Sequence, residues 1–136
     1  MKRLIQKKLK KTKENLYYIL SALMIGLIVG GIDALFGRVL IAITDFRGRY
    51  IQILIWFLPI AGLFICWMYH RFNEMSLKGM TLVLETAQGK RADIPLALVP
   101  LVMVGTWITH LFGGSAGREG VAVQIGATLS HWFARR

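Results

Sequence analysis

The stretch GGSAGREGVAVQIGA, Gly113 to Ala127, sets two charged side chains, Arg118 and Glu119, between a run of small residues and an apolar run. Gly113 to Gly117 break any helix that precedes them, and the residues from Arg118 onward pattern as a new one. A helix that restarts exposes unpaired backbone N–H groups and the positive end of its dipole, which together attract an anion. Glycine at 117 and 120 lets an ion approach the backbone without a Cβ in the way. Glu119 adds the second half of the chemistry. As a carboxylate it competes with an anion for the same donors, and once protonated it does not. One side chain can therefore couple proton binding to anion passage. Arg118 either adds positive potential or ties the turn together through backbone carbonyls. The plain alternative, an acid that stabilises its own helix, loses ground at membrane depth, where ionisable groups are rare and usually functional.

The rest of the chain supplies that depth. Of its 136 residues, 55% are hydrophobic and only 18% charged, a balance well away from that of ordinary water-soluble domains. The net charge of +10 gathers at one end, where Lys2, Arg3, Lys7, Lys8, Lys10, Lys11 and Lys13 are opposed only by Glu14. Residues 1–14 thus read as a basic cytoplasmic tail that meets anionic lipid and keeps the N-terminus inside, not as a nucleic-acid-binding face. A cleaved signal peptide is excluded by the long charged region and by an apolar run longer than a signal core. The single cysteine, Cys66, rules out an intrachain disulfide and is expected to be inert packing. No metal cluster, cofactor motif or nucleophile with a neighbouring base is evident, so an enzyme is the least supported class.

The elements expected to position the site are apolar helices. Leu16 to Thr44 forms the first span, longer than a bilayer core requires and therefore tilted. Within it Gly26 and Gly30 have the small-xxx-small spacing that lets helices pack closely. Asp33 and Arg38 are expected near its outer end, at the interface or paired with each other, a reading favoured over a substrate-path role for Asp33. Thr44 to Tyr50 reads as a short outer turn, and Ile51 to Tyr69 as a second span kinked by Pro59. The polar section His70 to Pro95 carries Arg71, Lys78, Lys90 and Arg91 and falls on the cytoplasmic side. It contains a short half-embedded or surface helix beginning near Gly79. Ile94 to Leu111 is the third span, and His110 near its far end is read as a hydrogen-bonded residue more readily than as a proton carrier.

The wording of the motif says more than its physics. GREGVAVQIG, Gly117 to Gly126, closely resembles the glycine-arginine-glutamate-glycine-proline motif and the valine-glutamine-isoleucine-glycine that follows it in the CLC family of chloride channels and proton-coupled anion antiporters. The resemblance implies an all-α integral membrane protein, the N-terminal part of a CLC-type inverted-repeat bundle with tilted spans and broken or re-entrant helices. It implies that Glu119 is the gating and proton-coupling residue, and that the anion-binding set is Gly79, Met80, Gly117, Arg118, Glu119, Gly120 and Val121. Val121 stands where the family has proline. The family's upstream glycine-serine-glycine-isoleucine-proline motif is replaced by KGMTL, Lys78 to Leu82. A methionine in that serine region marks the fluoride/proton antiporter branch, so Met80 looks like that branch's residue, although it also reads as flexible apolar packing.

The implied activity of the complete protein is fluoride export coupled to proton entry in a homodimer. Chloride transport or conduction within the family, or a small membrane-anchored interaction protein, are the alternatives. Residues 15–136 match only an incomplete N-terminal part of the first transmembrane repeat, and by this reading the chain alone is an inactive fragment in the cell membrane, multi-pass with its N-terminus cytoplasmic.

Overall fold

In a computed structural model the chain is described over residues 2–72, 74–90 and 93–135, with side chains from residue 15 onward. Every regular element among these residues is helical. The order is α1 (Lys2–Leu54), a short 3₁₀ turn (Ile55–Phe57), α2 (Leu58–Phe72), a second 3₁₀ turn (Glu74–Lys78), α3 (Met80–Ala87), α4 (Leu98–Leu111) and α5 (Arg118–Ala134).

The first helix corrects the expected layout. Residues 44–50 are not a turn, because α1 runs through them to Leu54 without a break. Gly48 is the only glycine there and no proline precedes Pro59, so the local sequence lacks a helix-stopping signal. At 1.5 Å per residue its 53 residues extend about 80 Å, far beyond a bilayer core. Pro59 is not a mid-span kink either. It is the second residue of α2, where its missing N–H costs no helical hydrogen bond.

Contacts with α4 reveal the path of the chain. Phe36 stacks on Trp107, Arg47 donates from Nη1 to the His110 carbonyl at 3.3 Å, and the Ile51 side chain reaches Gly113, so α1 climbs as α4 climbs. In the other direction Leu58 meets Gly114, while Ile65 and Tyr69 meet Gly105, so α2 descends. The polypeptide therefore reverses across Ile55–Phe57, and α4 packs against both arms. Helix α5 returns along α4 and α1, closing a core of Phe36, Leu40, Val99, Val102, Met103, Val121, Ile125 and Leu129. A smaller cluster of Leu82, Val83, Ile94 and Leu98 holds α3 beneath α5 and the start of α4.

The third expected span is shorter than the sequence suggested. Pro95 keeps the chain out of helix until Leu98, with Leu98 N–H bonded to the Pro95 carbonyl at 3.0 Å. The 14 residues of α4 cover about 21 Å, less than a bilayer core. Asp33 and Arg38 form no ion pair with each other among the described residues; five positions apart on a helix, they point to different sides. Gly26 and Gly30 have no neighbour within 4 Å of where a Cβ would stand, so none of the described helices uses that stripe. Cys66 is exposed and not buried packing.

Among the described residues one helical stretch, Asn15–Phe72, is apolar and long enough to cross a membrane, and only 6% of its most apolar window is buried inside the chain. Leu27, Trp56 and Leu63 all face outward. Such a surface is stable only against lipid or further protein, the opposite of a helix at the core of a water-soluble domain.

Candidate functional site

The end of α4 and the start of α5 are built by local backbone chemistry. Phe112 caps α4, and Gly113 follows with φ of +88°, a conformation that disfavours any side chain. Gly114 N–H bonds the Thr109 carbonyl at 2.8 Å, and Gly113 N–H bonds the His110 carbonyl at 3.3 Å. This is the paired closure of a Schellman motif, and it consumes carbonyls that α4 would otherwise leave open. Arg47 places a cation on the same His110 carbonyl, at the negative end of the α4 dipole. The ring Nδ1 of His110 lies 3.0 Å from the Thr106 carbonyl, so His110 is a buried, hydrogen-bonded residue.

The chain then crosses Ser115 and Ala116 without regular structure and restarts as α5 at Arg118. Gly117 is the N-cap, extended at φ −70° and ψ 115°, and no side chain caps the helix. The first-turn N–H groups of α5 are thus left for solvent or a ligand. In front of them lies a cavity of about 620 Å³ lined by His110, Ser115, Ala116, Gly117, Arg118 and Glu119. Arg118 and Glu119 also border a second space of about 250 Å³ whose far wall is Asp33, Phe36, Gly37 and Leu40 of α1. Glu119 is exposed in the first turn of α5, whereas Val121, only two positions on, is 3% exposed within the main core. Helix α5 is therefore held rigidly while its acid stands free.

The candidates upstream lie elsewhere. Gly79 is the N-cap of α3 with φ of +49°, and Met80 is the first helical residue, with 36% of its surface exposed. Gly79 approaches the Gln124 carboxamide of α5, whose two ends lie 3.8 and 3.9 Å from the position a Cβ would take. The fold thus gathers Gly117, Arg118 and Glu119 around one cavity with His110. It sets Gly79, with Met80 next to it in the chain, beside Gln124 of the same helix, in a separate space that Gly79 lines. Sequence reasoning undervalued Asp33, which faces the Arg118 and Glu119 side chains across a cavity. It gave no role to Arg47 or Gln124, whose neighbours come from elements 63 and 45 residues away, so no local pattern could mark them.

Residues 61–136, from the first turn of α2 through α5, match the family described as voltage gated chloride channel. Over 107 residues the chain is 36% identical to the chloride/fluoride channel protein of Pseudomonas syringae pv. tomato, an alignment covering 79% of this chain and 24% of that protein. The chain thus spans about a quarter of the length of the curated relative it matches. With more than half its residues matched by the family, and with the helix restart at the family's motif, the chain belongs to the voltage-gated chloride channel family.

Proposed function

We propose that the complete protein moves a small anion across the cell membrane, and that its activity is fluoride export coupled to proton entry. The observation that carries this reading is the uncapped start of α5 at Gly117 and Arg118, opening on a cavity that also holds Glu119. In this mechanism an anion is held by the first-turn N–H groups with the helix dipole behind them, and Arg118 raises the local positive potential. Glu119 as a carboxylate takes the anion's place at those donors; on protonation it swings away and carries the proton. Alternation between the two states moves fluoride out for a proton in. Gly117, Gly120 and Val121 supply the backbone of the first turn, and Gly79 and Met80 at the start of α3 form the inner approach.

Two further parts of the reading concern the surroundings. Residues 1–14 act as a basic cytoplasmic tail against anionic lipid, and residues 15–136 as an N-terminal part of the first repeat of a multi-pass homodimer. The relative's name mentions both chloride and fluoride, which supports a second reading, chloride transport through the same site. Flux from proteoliposomes holding the full-length protein separates them. Fluoride efflux with proton uptake, and loss of the proton coupling in Glu119→Gln, is the expected result. Chloride flux indifferent to replacement of Met80 removes the fluoride assignment, and anion flux indifferent to replacement of Glu119 removes the mechanism.

A further inference from the structure

We propose that Asp33 of α1 is a second proton carrier, the carboxyl through which Glu119 receives its proton from the outer solution. The inference rests on the proposed exchange of fluoride for a proton and adds to it a residue from outside the motif. Asp33 is the only charged residue between Glu14 and Arg38. At 1.5 Å per residue it stands about 27 Å along α1 from Asn15 and about 32 Å short of Leu54, well inside the apolar stretch. A charge at such a place is costly, and ionisable groups kept there are usually functional. The face of the helix that carries it is the informative feature. Asp33, Phe36, Gly37 and Leu40 follow the i, i+3, i+4, i+7 spacing of one helical stripe, and Phe36 and Leu40, 3% and 1% exposed, bind that stripe to the core that α5 closes. The acid is therefore turned towards α5.

Between the two helices the packing leaves a gap of about 250 Å³, with the Asp33 stripe as one wall and Arg118, Glu119 and Ala122 as the other. Gly37 has nothing within 4 Å of where a Cβ would stand, so the lack of a side chain there helps keep the space open. At about 30 Å³ each, several waters fit, enough to bridge the two carboxyls. Among the described residues the side chains of Asp33, Arg118 and Glu119 make no hydrogen bond or ion pair, so none is committed to a structural partner. Helix α4, which also packs on α1, has His110 as its one titratable residue, and that ring is bonded to the Thr106 carbonyl. Arg38 points to another side of α1. With Asp33, Arg118 and Glu119 all ionised the walls carry one negative charge, which a single proton removes. That proton leaves the Asp33 carboxyl, crosses one or two waters and binds a Glu119 oxygen, freeing the donors at the start of α5 for an anion. Asp33, now a carboxylate facing the positive potential of Arg118, takes its next proton from a hydronium ion of the outer solution.

Simultaneous recording of fluoride efflux and proton uptake from vesicles holding the full-length protein tests the carrier. Asp33→Asn removes the proton site at nearly constant size and is expected to slow both fluxes about a hundredfold at neutral external pH, the low end of the range for a positioned acid–base group. The deficit should shrink as external pH is lowered, because hydronium then reaches Glu119 directly, and Asp33→Glu should recover most of the rate. In the Glu119→Gln background, which has no proton to pass, Asp33→Asn should bring no further slowing of anion flux. Equal slowing in both backgrounds marks a purely structural role and overturns the proposal. A wild-type rate in Asp33→Asn overturns it as well. Should Asp33→Asn fail to fold, Asp33→Ser is read against the same criteria. Vesicles in which the unsubstituted protein moves fluoride without protons, or moves none, defeat the transport reading instead.

Discussion

Replacing Gly114 by alanine should damage the break between α4 and α5 far more than replacing Gly117, three residues away. A Cβ at Gly114 would lie 2.7 Å from Thr109 Cγ2, 3.1 Å from the Thr109 carbonyl oxygen and 3.4 Å from Leu58 Cδ1. None of these neighbours yields cheaply. Thr109 is held in its rotamer by Oγ1 donating to the Gly105 carbonyl at 2.7 Å, and its carbonyl is the acceptor of the Gly114 N–H bond at 2.8 Å. Moving the side chain gives up the first bond and moving the backbone gives up the second, at about 1 kcal/mol each. Residual overpacking brings the cost to about 2–3 kcal/mol. Gly117 has φ of −70° and nothing within 4 Å of where an added methyl would stand, so Gly117→Ala should cost less than about 1 kcal/mol, the difference between glycine and alanine at an N-cap. The assay is thermal unfolding in detergent followed by far-ultraviolet circular dichroism, in which Gly114→Ala is expected to lower the midpoint by roughly 5–10 °C. On the proposed mechanism Gly117→Ala should slow anion flux in vesicles despite its near-normal stability, because its methyl would stand where the ion is held to approach. A Gly114→Ala protein with the wild-type midpoint would refute the account of the break. A Gly117→Ala protein with normal flux would refute the steric role given to that glycine.

Three other substitutions test separate parts of the fold. Gly79→Ala forces a side chain into φ of +49° and should cost about 1–2 kcal/mol, although the nearest atoms at 3.8 Å leave space, so a midpoint shift without any clash is expected in the same unfolding assay. Trp107→Phe keeps an aromatic ring against Phe36, stacked in the native chain at a centroid distance of 6.0 Å, but loses the bond from Nε1 to the Phe36 carbonyl at 3.2 Å; about 1 kcal/mol should be lost, readable by urea titration, and a larger loss would mean the stacking itself had failed. Asp93→Asn breaks the pair with Arg135 at 2.9 Å and weakens the contact with His131 at 3.5 Å, yet Asp93 is 67% exposed, so the change in stability should stay below about 1 kcal/mol and shrink further as salt is raised.

What could be read from the sequence followed the range of the interaction involved. The restart of a helix at Arg118 was legible because five consecutive small residues leave a chain no local means of staying helical, and the structure ends α4 at Leu111 and begins α5 at Arg118. The short helix near Gly79 was legible for a similar reason, since KGMTLVLETA is bounded by glycine and by a polar turn at Gln88. The outer turn expected at residues 44–50 is absent because charge alone does not bend a chain. Asp45, Arg47 and Arg49 can all be carried by a continuing helix, and Arg47 turns its charge to use on a carbonyl of α4. The true reversal, at Ile55–Phe57, falls inside an apolar run with only Pro59 to mark it, and its cause is the docking of both arms on α4, a tertiary effect with no local signature.

The same distinction explains how the candidate site is divided. Its backbone parts belong to the motif and could be read along the chain, but the walls that face them belong to α1 and α2. Asp33 on one side of α5 and Tyr69 on the other are separated by 36 positions in sequence, and each meets α5 only because the chain doubles back between them. Helix α5 thereby borders two separate spaces and has one anchoring face. Val121, Ile125 and Leu129, at four-residue intervals, bind it to the core, while Glu119 and Gln124 project to either side of that stripe. A helix pinned in this way cannot slide to open a path without breaking its densest packing. On the proposed mechanism the moving part is therefore the Glu119 side chain, and the helix that carries it stays still.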